Sequence, residues 1–273
     1  MTRRRAFQLA VAAVIGAVSF TRPAGAQNTE LEPILFSLSK GGGGSSAGAS
    51  SLQVFDVPLE VTVREPEGRP WGLRLKFPVS FGFYDLSAAT VGDVLSRVQT
   101  VSVAPGLEFL VPVSRAWLLK PFAEAAFGTT MSGESTEVQY SAGVKARGEY
   151  GGGPWAFTVG LGAYYASPRA TLVVVTDYTT LEAGLDARRL IGWRVAERDA
   201  SAGVYAIGRW FPDLRLTSAG GRVLPVERVM EAGVRFSTAP EMAIWIIKFP
   251  WIAVGYRWGD MFQGYRISFD FPF

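Results

Sequence analysis

Tyr265-Arg-Ile-Ser-Phe-Asp-Phe-Pro-Phe273 puts Tyr265, Ile267, Phe269, Phe271 and Phe273 on one face of an extended chain and Arg266, Ser268 and Asp270 on the other. Side chains of a strand alternate between its two faces, so this is a period of two, apolar on one side and wet on the other.

Working back from that stretch, the same period returns. Phe55, Val57, Leu59, Val61 and Val63 oppose Asp56, Glu60, Thr62 and Arg64. Glu65-Pro-Glu-Gly-Arg-Pro70 supplies turn chemistry, and Trp71, Leu73, Leu75, Phe77, Val79, Phe81 and Phe83 then oppose Arg74, Lys76 and Ser80. Two such runs about a short turn predict an antiparallel hairpin. Further alternating blocks are Val101 to Val113, Trp117 to Phe127, Val138 to Tyr150, Trp155 to Tyr165, Leu224 to Phe236 and Ile252 to Trp258. From Ala170 to Phe211 the period wanders and no strong breaker falls near Asp177 to Leu181. Two or three strands are expected there, plus one over 201–211.

The terminal stretch resembles the C-terminal sorting strand of Gram-negative outer-membrane β-barrels, with its alternate apolar positions and final Phe. The resemblance implies an all-β fold, a transmembrane antiparallel up-and-down β-barrel read by the barrel-assembly machinery through that strand. The count along the chain is about twelve strands, with ten as the alternative. An even number brings both ends of the barrel to the periplasmic side. The longest connection, Asp85 to Arg97, is expected on that side too.

The other end of the chain points to export. Arg3, Arg4 and Arg5 form a basic start, Phe7 to Phe20 an apolar core, and Ala24-Gly25-Ala26 a small-residue cleavage site, so residues 1–26 read as a signal peptide. Of the 27 basic residues, four (Arg3, Arg4, Arg5 and Arg22) lie in this segment, which leaves 23 against 24 acidic. The basic excess therefore belongs to the leader, and nucleic acid is not an expected partner. Residues 27–51 are expected to be a flexible segment, because Lys40-Gly-Gly-Gly-Gly-Ser-Ser-Ala-Gly-Ala-Ser-Ser51 has little to bury. Ser37-Leu-Ser-Lys40 matches Ser-x-x-Lys without companion motifs, and the glycine run lacks the Gly-Lys-Ser/Thr of a phosphate loop. Residues 52–273 are expected to form the barrel.

There is no His and no Cys. Ser-His-Asp chemistry, thiolates and the commonest metal ligands are absent with them, so no enzyme, metal or cofactor is expected. A carboxylate-dependent membrane enzyme is the third functional reading.

Parity assigns the polar faces to the lumen. The basic set is Arg64, Arg74, Lys76, Lys120, Lys145, Arg147, Arg188, Arg194, Arg235, Arg257 and Arg266. The acidic set is Asp56, Glu60, Glu108, Glu124, Glu137, Glu149, Asp186, Glu227, Glu231 and Asp270. A balanced set of this kind lines a weakly selective small-solute channel or zips into ion pairs that close the barrel. Aromatics near strand ends (Trp71, Phe83, Tyr140, Tyr150, Trp155, Tyr165, Trp258, Tyr265) fit interfacial girdles. Arg189 and Arg228 fall on the apolar face and belong near strand ends. The expected setting is a monomer in outer-membrane lipid. A Gly/Ser tether ahead of about twelve strands ending in Phe is also similar to an autotransporter translocator, though about 25 residues precede the barrel where a passenger would stand.

Overall fold

The computed structural model describes residues 45–47, 50–57, 59–84, 98–130, 136–170, 174–195, 197–217, 223–239, 242–244, 247–249, 251–259, 263–268 and 271–273. The signal-peptide reading of 1–26 and position Asp270 lie outside them.

The first strands are β1 (Ser45–Ala47), β2 (Ser50–Val57), β3 (Glu60–Arg64), β4 (Gly72–Lys76), β5 (Val79–Tyr84), β6 (Val98–Val103), β7 (Gly106–Pro112) and β8 (Trp117–Thr130). Longer ones follow: β9 (Thr136–Gly152), β10 (Trp155–Ala170), the two-residue β11 (Val174–Val175), β12 (Tyr178–Val195) and β13 (Arg198–Trp210). The rest are β14 (Arg215–Thr217), β15 (Val223–Pro225), β16 (Arg228–Ala239), β17 (Met242–Ile244), β18 (Ile247–Phe249), β19 (Ile252–Gly259) and β20 (Gln263–Ser268).

One antiparallel up-and-down sheet runs in the order β1-β2-β5-β6-β8-β9-β10-β12-β13-β16-β19-β20, twelve strands as the periodicity predicts. β3, β4 and β7 extend β2, β5 and β6 past a common break. There Phe77 N–H donates to Leu59 O at 2.7 Å, Ala104 N–H to Pro78 O at 3.0 Å and Ala125 N–H to Pro105 O at 2.9 Å. Pro78 and Pro105 have no N–H to give, so neighbouring strands are interrupted at one level while their alternation carries through. Among the described residues no ladder joins β20 to β1, although β20 lies alongside both β1 and β2.

The burial is inside-out relative to a soluble sheet. In β12, Thr180, Glu182 and Asp186 are buried while Leu181 and Leu185 are exposed, Leu185 at 61%. In β16, Glu231 is 1% exposed and Val234 60%. Polar faces thus line an enclosed interior and apolar faces point outward.

Three expectations need correction. The supposed tether contributes β1 and the first residues of β2, with Ser46 paired to Ser51 and Ala47 to Ser50; backbone pairing needs no side-chain burial. That added strand shifts the parity of the ends, so the 85–97 connection joins β5 to β6 at the end away from the finish of β20. The 171–177 and 211–227 connections share that end, and 211–227, carrying β14 and β15, is the longer. In the ambiguous 170–211 stretch, β12 runs as one long strand of 18 residues.

The third correction concerns the terminal stretch. Tyr265 and Ile267 lie in β20, opposite Tyr256 and Val254. Phe269 is outside the described residues. Phe271 and Phe273 are not in a strand: they turn inward, 4% and 1% exposed. Pro272 offers no ladder donor, and the interior offers the two rings an apolar slot.

Candidate functional site: a charged and plugged lumen

Inward positions of β3, β4, β7 and β8 converge on Glu108, which is 1% exposed. Arg74 lies 3.6 Å from its carboxylate, Lys76 3.5 Å and Lys120 3.4 Å. Arg74 also reaches Glu60 at 3.1 Å. Nearby, Ser141 Oγ donates to Glu124 at 2.8 Å, and Glu137 is buried.

A second chain of charges crosses the barrel. Lys145 on β9 reaches over β10 to Glu182 on β12 at 3.6 Å, and Arg209 Nε donates to Glu182 at 3.2 Å. Arg209 also lies 3.8 Å from Glu231, which takes a 3.1 Å hydrogen bond from Arg257 Nη2 and a 2.9 Å one from Tyr205. Separately, Arg235 donates to Asp186 at 2.7 Å and to Ser237 at 2.8 Å. Buried charges persist where partners and hydrogen bonds replace the lost water, and here Glu108, Glu182, Asp186 and Glu231 each have at least one cation.

The tail completes the filling. Phe271 meets Trp251 edge-on at 5.4 Å between centroids, Trp251 lies 5.4 Å from Tyr205, and Arg235 sits over Trp251 at 4.2 Å. Phe273 lies against Gly160 and Gly184, which are register partners on β10 and β12. A Cβ at either glycine would collide with that ring. Lys145 Nζ donates to the Pro272 carbonyl at 2.6 Å.

Other assigned residues sit elsewhere. Arg147 and Glu149 pair at 2.6 Å towards one rim, with Glu149 largely exposed. Arg64 is stacked on Trp71 at 3.8 Å beside the first turn. Glu227 is not a lumen residue: it is exposed in the connection before β16, where the strand has not begun. Asp56 and Arg266 lie in β2 and β20. Arg189 stacks on Trp155 at 5.6 Å, near the end of the β10–β12 ladder, and Arg228 opens β16 opposite Trp210. Glu182, Arg209, Tyr205 and Trp251 were not assigned from the sequence. Thr180-x-Glu182-x-Gly184-x-Asp186 against Leu181, Ala183 and Leu185 carried the signal for the first.

At the opposite rim Asp177 takes hydrogen bonds from Arg169 at 2.7 Å, Tyr165 at 2.6 Å and Ser167 at 2.9 Å. Those donors, Arg169 foremost, hold its carboxyl down at about 2. Among the described residues no group of acidic side chains is arranged to hold a metal ion.

No protein-family model matches the chain, and no curated protein matches it in sequence. Among solved structures it is similar to the siderophore receptor PirA from Pseudomonas aeruginosa, at 10% identity and a TM-score of 0.34. The match covers 82% of this chain and 36% of that one, so the chain spans little more than a third of the receptor's length.

Proposed function

We propose that the protein is an integral outer-membrane β-barrel whose lumen is closed by its own side chains, rather than a standing channel. The observation that carries this reading is the burial of the lumen charges. Glu108 and Glu231 are each 1% exposed, whereas residues lining a water-filled pore stay accessible to water.

The membrane setting draws on the outward face. Tyr140 and Tyr150 on β9, and Trp155 and Tyr165 on β10, each stand ten residues apart, all exposed. At about 3.4 Å per residue and a tilt of about 40°, that separation is about 26 Å across the membrane, the height of an outer-membrane apolar band. The aliphatic side chains between them would meet hydrocarbon. Arg189 and Arg228 fall near the ends, where the guanidinium can snorkel. The tight connections at 65–71, 113–116, 153–154 and 196–197 share the end where β20 finishes with 240–251, which carries β17 and β18, while 85–97 and the longest, 211–227, lie at the other. Short turns suit the periplasmic side and long loops the cell surface.

On this reading the protein is exported by its leader, is a monomer in outer-membrane lipid, meets the assembly machinery at β20, and has no catalytic role or cofactor. An autotransporter-like role is less well supported, because threading a segment needs a lumen that is not filled.

Planar-bilayer recording of refolded, heat-modifiable protein tests the proposal. No sustained conductance is expected. Stable open steps would restore the small-solute channel.

A further inference from the structure

We propose that the inner slot holding Phe271 and Phe273 is a binding site for small aromatic carboxylates, filled in their absence by the chain's own tail. The inference rests on the closed-barrel reading and adds a ligand class to it.

The slot is built around a flat ring. Gly160 and Gly184 face each other across the β10–β12 ladder and form a pad of bare backbone on the inner wall. Tyr205, Ile207 and Trp251 supply apolar walls, all buried, in an interior that is otherwise mostly polar. Apolar pads with a few placed polar groups are the usual makeup of small-molecule sites.

The tail fits the shape better than the chemistry. Lys145 spends its 2.6 Å hydrogen bond on the neutral carbonyl of Pro272, where a carboxylate would give a charge-assisted one. Trp251 Nε1, 2% exposed, has no acceptor, and Arg235 Nε has none either. Lys145 lies beside Glu182 and Arg235 beside Asp186, so cations stand at the edge of the slot. An aromatic carboxylate lays its ring on the glycine pad and gives its charge to Lys145.

The tail is also placed to leave. Phe271 to Phe273 stand outside the strand ladder, so withdrawing them breaks no strand pairing. As a tethered occupant, the tail competes at the high effective concentration of an intramolecular ligand, so an outside ligand binds the intact protein weakly.

The test uses the full chain refolded in detergent, with 2-naphthoate as the probe. Heat-modifiable mobility and liposome insertion are read first, and failure there counts against the membrane barrel rather than the slot. In the variant Phe271→Ala/Phe273→Ala, 2-naphthoate should bind at least tenfold more tightly than to the parent, and adding Lys145→Gln should remove that gain. The parent chain has no Cys, so Pro272→Cys keeps both rings and gives a unique thiol. Saturating 2-naphthoate should speed its maleimide labelling at least fivefold. If the double variant does not fold, the labelling experiment decides alone. Unchanged affinity in a folded double variant, labelling indifferent to 2-naphthoate, or equal binding of uncharged 2-methylnaphthalene would overturn the proposal.

Discussion

Lys145 Nζ donates a 2.6 Å hydrogen bond to the carbonyl of Pro272, 127 positions further along the chain. Lys145 also stands opposite Lys120 in the β8–β9 register. Like charges directly opposite on one face destabilise a ladder. This pair is tolerated because its members turn to different carboxylates: Lys120 to Glu108, Lys145 to Glu182. The interior is thus held by specific partners, and each can be removed separately.

Glu108→Gln should be among the most damaging single changes in the lumen. It leaves Arg74, Lys76 and Lys120 crowded about a neutral amide, and breaking a buried ion pair costs about 3–5 kcal/mol. Arg194→Gln, which loosens exposed contacts to Glu197 and Asp199, should cost less than about 1 kcal/mol. Urea titration of both variants in detergent measures the contrast, and equal midpoints would mean that Glu108 is hydrated.

Leu185→Arg tests the outward face. Leu185 is paired with Val159 and Ala206 in the middle of the β12 ladders, and at 61% exposure an Arg there would be harmless in water. In hydrocarbon it should cost about 2–4 kcal/mol. Trp210→Arg, at the last residue of β13, should cost less. Folded yield in lipid vesicles reads both, and indifference to Leu185→Arg would argue for an aqueous surroundings.

The Asp177 rim cluster should survive acid. Its carboxyl is held at about 2, below the ordinary value of 3.8, so its contribution is present above the ordinary value and is lost as pH falls through about 2. A carboxyl carbon-13 titration of Asp177 should show its midpoint near 2. With Arg169→Ala the midpoint should rise toward 3.8, and a parent midpoint already near 3.8 would contradict the hydrogen-bonded cluster.

The fold was legible because strand parity is a local property. Trp155, Phe157, Val159 and Leu161 alternate with Thr158, Gly160 and Gly162, and no tertiary contact is needed to see it. Alternation survives even the breaks at Pro78 and Pro105, since each interruption spans two residues and keeps the phase. Other features were legible only in three dimensions. Glu182 and Arg209 lay in a stretch whose strand boundary has no Gly or Pro to mark it. Ser45 to Ala47 pair through backbone alone, which composition does not report. Phe271 and Phe273 keep the period of Tyr265 and Ile267, yet they point inward, because period does not reveal where a strand stops. Pro272 was the available sign of that stop.

The most direct measurement is lipid quenching of single bimane-labelled cysteines in this Cys-free chain, reconstituted with brominated acyl chains. Leu185→Cys, Val204→Cys and Val234→Cys, all outward and exposed, should be strongly quenched, while Thr158→Cys and Ser201→Cys, both buried on the inner face, should not. Equal quenching at all five sites, or stronger quenching at the inner two, would contradict a barrel with its apolar face in lipid and its charges enclosed.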